Sequence, residues 1–373
     1  MAGSMVIRGG AGADVLVSGD RVVDELTDRA ATLDATGCTV VPGFVDLQCN
    51  GGFGIDFTTT PERAQEVAAR LPETGVTTFL PTVVTAPRDA LLHSVAALDG
   101  LRTASPGARS LGVHVEGPFI NPSRGGAHPR RYIRPPDRAE AASWSDAGLV
   151  AFVTLAPELD GALDVIADLA RRGIVVSLGH CEITSADLDR AVASGATAAT
   201  HLFNAMGTMS ARVPGTAGAI LASASLTASI IADGVHVDPA MVALAWRALG
   251  SNRLLLVTDA IAALGLPHGE YHVGDTDVVV GDDGPRTRDG VLAGSVLRMD
   301  EAVRNLVAFT GCSAAEAVAA ASTTPARLLR RADVGVISAG AYADLVLLDA
   351  GLHVVATVVG GRVVFDPERR LSS

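Results

Sequence analysis

The chain has 373 residues, which is too long for one small domain and suits one large barrel with an accessory piece. Its composition, 48% apolar and 4% aromatic, is typical of parallel α/β proteins, whose buried strands are continuous apolar runs. A net charge of −12 argues against nucleic acid or an anionic membrane as the main partner. One local cluster of arginine and histidine would still be enough to bind a phosphorylated substrate.

The four cysteines, Cys38, Cys49, Cys181 and Cys312, are scattered and form no C-x-x-C pair. We therefore expect reduced thiols in a cytoplasmic protein. No secretory signal is visible, and no apolar run approaches the roughly 20 residues that a membrane span needs.

Short strands separated by glycine and aspartate turns are predicted at both ends of the chain. They are Met5–Arg8, Asp14–Val17, Arg21–Glu25 and Cys38–Val41 at one end, and Asp344–Asp349, His353–Val359 and Arg362–Phe365 at the other. Neither end can bury a core alone, so we predict that residues 1–41 and 336–373 pair into one small β-sandwich domain. Two separate edge hairpins are the alternative.

Residues 42–335 alternate strand-like and helical patterns, which predicts an α/β fold of the (β/α)₈ TIM-like barrel type. The eight strand-like runs are Gly43–Leu47, Thr77–Val84, Ser110–Val115, Ala151–Leu155, Ile174–Leu178, Ala196–Thr200, Leu226–Ile231 and Leu254–Val257. The helical runs are Pro61–Leu71, Arg88–Leu98, Ala162–Arg171, Ser185–Ala193, Pro239–Leu249, Met299–Phe309 and Ala314–Leu329. Thr60 is a candidate N-cap, Thr184 with Asp187 forms a candidate capping box, and Gly265–Gly290 suggests an inserted hairpin or loop.

Ionisable residues follow five of these strand-like runs: Glu116, His180, His201, the pair Asp233 and His236, and Asp259. In a barrel all strand C-termini open on one face, so these groups should converge. A lone histidine after a strand is more often a structural residue than a ligand. Two imidazoles and a carboxylate together, however, form a three-ligand metal site that would lower the pKa of a water molecule. Asp259 could then take up and return a proton.

The first barrel strand carries Gln48, Cys49 and Asn50, where many metal hydrolases of this architecture have His-x-His and bind a second metal. Neutral amides are poor ligands, and strand alternation should turn Cys49 to the other side. We therefore predict one firmly held metal.

Seven segments, in this order, make the sequence similar to the N-acetylglucosamine-6-phosphate deacetylases of the amidohydrolase superfamily. They are Pro42–Gly52, His114–Asn121, Ser177–His180, His201–Met206, Ala232–Asp238, Val257–Ala260 and Leu292–Ser295. The likeness covers nearly the whole chain, and Gly340–Asp349 also resembles the closing strand of the superfamily.

The resemblance implies metal-dependent hydrolysis of the acetamide of N-acetyl-D-glucosamine 6-phosphate, a phosphosugar, to D-glucosamine 6-phosphate and acetate. It implies metal ligands at Glu116, His180 and His201, with Asp259 as general base and then acid. His128 matches a loop histidine that helps to polarise the acetamide carbonyl. The implied cofactor is one Zn²⁺ per subunit, with Fe²⁺, Co²⁺ or Mn²⁺ as alternatives.

The implied substrate contacts are Gln48, Asn50, His128, Asn204, Ala205, Arg212, His236, Ala293, Gly294 and Ser295. Arg212 matches an arginine that reaches the phosphate from the neighbouring subunit, which implies a homodimer. Other amide or cyclic-amide hydrolysis on the same scaffold is the alternative activity, and a non-catalytic scaffold is a further one. Arg212, Asn204 and His236 favour the phosphosugar, and the intact ligand set argues against a non-catalytic role.

Overall fold

A computed structural model describes residues 3–27, 29–102 and 107–372. The terminal residues 1, 2 and 373 of the predicted small domain, like residues 28 and 103–106, lie outside these ranges.

Eight parallel strands form a nearly closed barrel, as predicted. We number them β1 to β8 in chain order: Phe44–Cys49, Val76–Val84, Val113–Glu116, Val150–Leu155, Val175–Leu178, Ala198–Ala199, Thr227–Ile230 and Leu254–Leu256. Each strand pairs in parallel with the next, and a bridge between Cys49 and Ala260 joins the last strand to the first. All nine residues of β2 are buried, as expected for a strand covered on both faces.

Helices cover the barrel strands with their apolar faces. Their bounds are Ala64–Arg70, Arg88–Ala97, Arg138–Ser145, Ala162–Arg171, Ser185–Ser194, Gly215–Ala222, Pro239–Arg253, Met299–Thr310, Ala314–Ala321 and Thr323–Leu328. In Ala162–Arg171, for example, Val165, Ile166 and Leu169 are buried in the main core at helical spacing. Among the described residues, no helix is both long and apolar enough to cross a membrane.

Of the two predicted helix N-termini, one has the predicted side-chain cap and the other has none. The Thr184–Asp187 capping box is present. Thr60 stands at the predicted N-cap position with Pro61 in the first turn, but the element is a 3₁₀ turn, Pro61–Arg63, and the Thr60 hydroxyl donates to the Asp56 carbonyl oxygen instead of capping it. The predicted helix Ala314–Leu329 is broken at Ser322, whose backbone is not helical (φ −134°, ψ −78°).

The two chain ends share two small sheets, which confirms the small β-sandwich. One sheet contains Ser4–Arg8, Val15–Ser18, Arg21–Val23, Ala31–Asp34 and, from the C-terminal end, Leu371–Ser372. The other contains Thr39–Pro42 beside Leu345–Leu348, Val354–Val359 and Arg362–Phe365. Side chains from both ends, such as Ile7, Val17 and Leu347, form a separate core. The exact division from the barrel, at residues 41 and 336, stays a prediction.

The predicted insertion is a three-stranded antiparallel sheet, Gly269–Val273, Thr276–Gly281 and Gly284–Thr287. Its first turn lies on the barrel mouth. There the main-chain N–H of Gly274 donates to buried Asp56, and the Thr276 hydroxyl donates to the carbonyl oxygen of Ala127. The hairpin therefore braces the loop that carries His128.

Candidate active site

The ionisable residues predicted after the strands converge at the C-terminal mouth of the barrel. Glu116 is the last residue of β3, His180 and His201 lie just beyond β5 and β6, and Asp259 lies just beyond β8. His180, His201 and Asp259 have left-handed backbones, with φ of 50°, 35° and 51°. Non-glycine residues in this region cost of order 1–3 kcal/mol, and such strain clusters at functional sites.

Glu116, His180 and His201 form a compact, buried set of metal donors. The Oε1 atom of Glu116 lies 3.2 Å from Nε2 of His180 and 3.0 Å from Nε2 of His201. The two Nε2 atoms are 3.1 Å apart. Donors of one tetrahedral zinc ion lie about 3.3–3.6 Å apart, so this set fits a divalent cation within a few tenths of an ångström.

The hydrogen bonds around the donors also fit a cation. Nδ1 of His180 lies 2.9 Å from the Arg124 carbonyl oxygen, so this nitrogen is the donor and Nε2 keeps its lone pair for a metal. Nδ1 of His201, Oε1 of Gln48 and Oδ1 of Asn50 are buried polar atoms without a hydrogen-bond partner among the described residues. Of these, the Asn50 oxygen belongs to a residue that lines the site, where a polar ligand could serve as its partner.

The electrostatics agree with the geometry. Burial alone would raise the pKa of Glu116, but the close contacts of its carboxylate with the imidazoles of His180 and His201 hold it well below its usual range. Burial disfavours charge on His201, yet the hydrogen bond to Glu116 and the negative charges of Glu116 and Asp259 together outweigh burial and raise the pKa of His201. Both shifts show that positive charge is stabilised between the carboxylate and the imidazoles, which is the condition for binding a cation.

Asp259 has the opposite environment. Burial and the nearby negative charge of Glu116 raise the pKa of Asp259 to about 6. Nδ2 of Asn50 donates to its Oδ1 atom over 2.6 Å. This hydrogen bond holds the carboxylate of Asp259 in one orientation. On the same strand, Gln48 donates to Glu116 over 3.1 Å. A carboxyl group poised near neutrality beside a metal site is suited to carry a proton.

His128 lies on the loop after β3 and faces Glu116 and His180, two of the candidate metal ligands. Its Nε2 atom is 3.8 Å from Oε2 of Glu116, and its ring stands edge-on to His180 with centroids 4.5 Å apart. Burial, reinforced by the charge of His180, lowers the pKa of His128 to about 3, so the imidazole is neutral. Thr85, which follows β2, contacts its Nδ1 atom.

His236 is held by a carboxylate that the site prediction left out. Nδ1 of His236 lies 2.6 Å from Oδ2 of Asp233, and Oδ1 of Asp233 accepts the main-chain N–H groups of Val235 and His236. Asp233 was visible in the sequence as a residue after β7, three positions before His236. The sequence did not show that its carboxylate orients the histidine rather than the ligand.

A cavity of about 220 Å³ lies against the candidate metal ligands Glu116, His180 and His201. The predicted site residues that line it are Asn50, Glu116, His128, His180, His201, Asn204, Ala205, His236, Asp259 and Gly294. The apolar part of its wall comes from Val84 on β2, Val273 on the inserted hairpin, and the segment that follows this hairpin. The cavity has the size and mixed polarity of a site for one small polar molecule.

Four predicted contacts lie outside the lining of this cavity. Gln48 lies beneath it and bonds to Glu116. Ala293 is buried in the small core under the hairpin, and the Ser295 hydroxyl donates to the Thr258 carbonyl oxygen. Arg212 is exposed on the segment between His201 and helix Gly215–Ala222. Their roles in substrate binding stay predictions.

The sequence profile of the Amidohydrolase family matches residues 39–364. The chain belongs to this family of barrel hydrolases, as its fold and donor set indicate.

Comparison with individual proteins shows which members of this family the chain is similar to. The chain is 41% identical, over 392 residues, to N-acetylglucosamine-6-phosphate deacetylase of Bos taurus, covering 97% of this chain and 94% of that one. It is 36% identical to the protein of the same name from Bacillus subtilis, covering 87% and 84%. A solved structure of an aspartate-to-alanine mutant of N-acetyl-D-glucosamine-6-phosphate deacetylase from Mycobacterium smegmatis, in complex with N-acetyl-D-glucosamine-6-phosphate, superposes with a TM-score of 0.88 at 35% identity. That match covers 98% and 99% of the two chains. The predicted resemblance to these deacetylases is confirmed.

Proposed function

We propose that this protein hydrolyses the acetamide of N-acetyl-D-glucosamine 6-phosphate to D-glucosamine 6-phosphate and acetate. The observation that carries this function is the buried donor set of Glu116, His180 and His201, which shares one cavity with a carboxyl group of raised pKa, Asp259. The relatives named above, similar over most of their length, are deacetylases of this phosphosugar.

Glu116, His180 and His201 would hold the metal, for which we propose one Zn²⁺ per subunit. A bound divalent cation polarises a carbonyl oxygen and lowers the pKa of a water molecule. Two imidazoles and one carboxylate are a common zinc donor set that leaves a coordination position open. Neutral amides at Gln48 and Asn50 support a single metal, because each amide directs an N–H group at a carboxylate.

Asp259 moves the proton. As a carboxylate it accepts a proton from the attacking water, and as a carboxylic acid it delivers that proton to the leaving amine nitrogen. Asn50 holds Oδ1 of Asp259 in place during both transfers. His128, which lines the same cavity beside Glu116 and His180, donates a hydrogen bond to the acetamide oxygen as negative charge develops there.

The remaining lining residues bind the sugar. We assign Asn204, Ala205 and Gly294 to the sugar hydroxyls and phosphate, with His236 held ready by Asp233. Among the described residues no arginine or lysine lines the cavity, so the phosphate charge needs a cation from elsewhere. Arg212, exposed on the segment between His201 and helix Gly215–Ala222, would supply it to the neighbouring subunit of a homodimer.

Four buried cysteines without disulfide partners, Cys38, Cys49, Cys181 and Cys312, support a reducing compartment, and we propose the cytoplasm.

Acetate release tests the activity. N-acetyl-D-glucosamine 6-phosphate should be hydrolysed and the unphosphorylated sugar should be a much poorer substrate, and a chelator should abolish both reactions. No acetate from the phosphorylated sugar with zinc-loaded protein would refute the function.

Arg212→Ala tests the origin of the phosphate contact. A charge-assisted contact is worth roughly 1.5–3 kcal/mol, so KM for the phosphorylated sugar should rise about ten- to a hundredfold and KM for the free sugar should not. Arg247→Ala, which removes an exposed arginine from helix Pro239–Arg253, is the matched control.

Mixing Arg212→Ala with Asp259→Asn subunits then tests the dimer. A heterodimer regains activity only if the arginine of one subunit serves the site of the other.

A further inference from the structure

We propose that Thr85 is a positioning residue that fixes the tautomer of His128, so that Nε2 carries the proton and faces the substrate carbonyl. This role depends on the proposed function of His128 as the hydrogen-bond donor to the acetamide oxygen. Thr85 is the first residue after β2 and is 1% exposed.

Two donors of Thr85 meet the same nitrogen of His128. The Thr85 hydroxyl oxygen lies 2.7 Å from Nδ1, and the main-chain nitrogen of Thr85 lies 3.4 Å from it. A main-chain N–H can only donate, so this long contact favours a lone pair on Nδ1 and adds to the stronger contact of the hydroxyl. In a neutral imidazole the single proton then resides on Nε2.

The hydroxyl proton of Thr85 has two possible acceptors. One is Nδ1 of His128 at 2.7 Å, and the other is the carbonyl oxygen of Glu116 at 3.5 Å. The shorter contact lies within ordinary hydrogen-bond range and the longer one at its limit, so the hydroxyl donates to Nδ1. Both donors of Thr85 therefore favour the same tautomer.

This tautomer determines which group His128 presents on the Nε2 side of its ring. Nε2 of His128 lies 3.8 Å from Oε2 of Glu116, beside the donors of the proposed metal site. With its proton on Nε2, His128 presents a donor to oxygen atoms in this region. The other tautomer would present a lone pair to a carboxylate and to a carbonyl oxygen, which is repulsive.

Gly117 provides separate geometric support. It has φ +78°, and a Cβ atom there would lie 2.2 Å from the Thr85 hydroxyl oxygen. Any side chain at this position would displace the hydroxyl from Nδ1 of His128. The glycine of the Glu116-Gly117-Pro118 motif thus reserves the space in which Thr85 reaches the histidine.

The test compares Thr85→Val, which removes the hydroxyl at nearly constant volume, with Thr85→Ser, which restores it. Thr78→Val is the matched control, because Thr78 is a fully buried threonine of the same strand whose hydroxyl has no partner among the described residues. Each zinc-loaded protein is labelled with ¹⁵N-histidine. The His128 signals are assigned by their absence from a His128→Gln spectrum.

In the wild type, Thr78→Val and Thr85→Ser, we expect His128 to show the pure Nε2–H tautomer. In Thr85→Val, an Nδ1–H population should appear and kcat should fall about three- to tenfold, with KM and zinc content little changed. An unchanged tautomer in Thr85→Val, or a Thr85→Ser protein no closer to wild type than Thr85→Val, would overturn the assignment. The tautomer is measured without turnover, so a protein that releases no acetate yet shows this shift would refute the proposed function and leave only the control of the His128 tautomer by Thr85 established.

Discussion

The two sides of the barrel mouth each hold a buried carboxylate, and their surroundings shift the two pKa values in opposite directions. Glu116 faces the imidazoles of His180 and His201, which hold its pKa well below the usual range despite burial. Asp259 has a neutral amide, Asn50, as its hydrogen-bond partner, and burial together with the charge of Glu116 raises its pKa to about 6.

This difference separates the two chemical roles. A carboxylate that stays ionised at any working pH is suited to hold a cation, whereas one that titrates near neutrality is suited to exchange protons. The two are also connected, because the negative charge of Glu116 is one cause of the raised pKa of Asp259. Four predictions test whether the two carboxylates differ in this way.

The largest effect is expected for Glu116→Gln. A neutral amide is a far weaker ligand for a divalent cation than a carboxylate, so both bound metal and turnover should be lost. Metal content of the purified protein is measured beside acetate release. Glu140→Gln, which changes a carboxylate of similar burial paired with Arg134, should keep its metal. Full metal occupancy in Glu116→Gln would disprove the ligand assignment.

Asp259→Asn should keep the metal and bind substrate, yet react about 10²–10⁴-fold more slowly, because an amide can neither accept nor return the proton. Metal content, substrate affinity and single-turnover rate are measured on one preparation. Asp300→Asn changes a buried carboxylate paired with Arg304, away from the cavity, and should leave the single-turnover rate near wild type. Metal loss in step with the rate would instead make Asp259 a ligand.

The pH dependence should report Asp259. Its raised pKa places the loss of the base form at about pH 6, so kcat should fall up to about tenfold per pH unit below that point and level off above it. A bound cation attracts the carboxylate form, so the acidic limb can move below pH 6 but not above it. The profile is recorded with metal content checked at each pH. A limb that follows metal loss would contradict the assignment.

The smallest effects are expected for the two amides at the end of β1, Gln48 within the strand and Asn50 just after it. Gln48→Leu removes a hydrogen bond to Glu116 and should weaken metal binding about tenfold. Asn50→Leu removes the bond that lowers the pKa of Asp259, so the acidic limb should move to higher pH, with kcat reduced about tenfold. Metal titration and pH profiles of both variants are compared. Identical behaviour of the two variants would show that the sides of the mouth are not distinct.

The barrel, the shared terminal sheets and the placement of ionisable residues just after the strands could be predicted from the sequence. Continuous apolar runs, helical periodicity and turn residues act locally, and parallel strands bring their carboxyl ends to one face whatever their separation in sequence. Glu116, His180, His201 and Asp259 could therefore be placed together before any coordinates were known. The bounds of two helices were predicted less well. The hydroxyls of Thr60 and Ser322 bond to main-chain carbonyl oxygens at points where a helix was expected to begin or to continue.

The influence of these groups on one another became visible only in the folded chain. Neither pKa shift can be read from the sequence, because each depends on burial and on charges more than fifty residues away. The pairing of Asp233 with His236, the contact of Thr85 with His128 and the left-handed backbones of His180 and His201 are likewise set by packing. A sequence pattern shows which residues stand at the barrel mouth. Proton positions and charge depend on distances of a few ångströms between strands, which only the closed barrel defines.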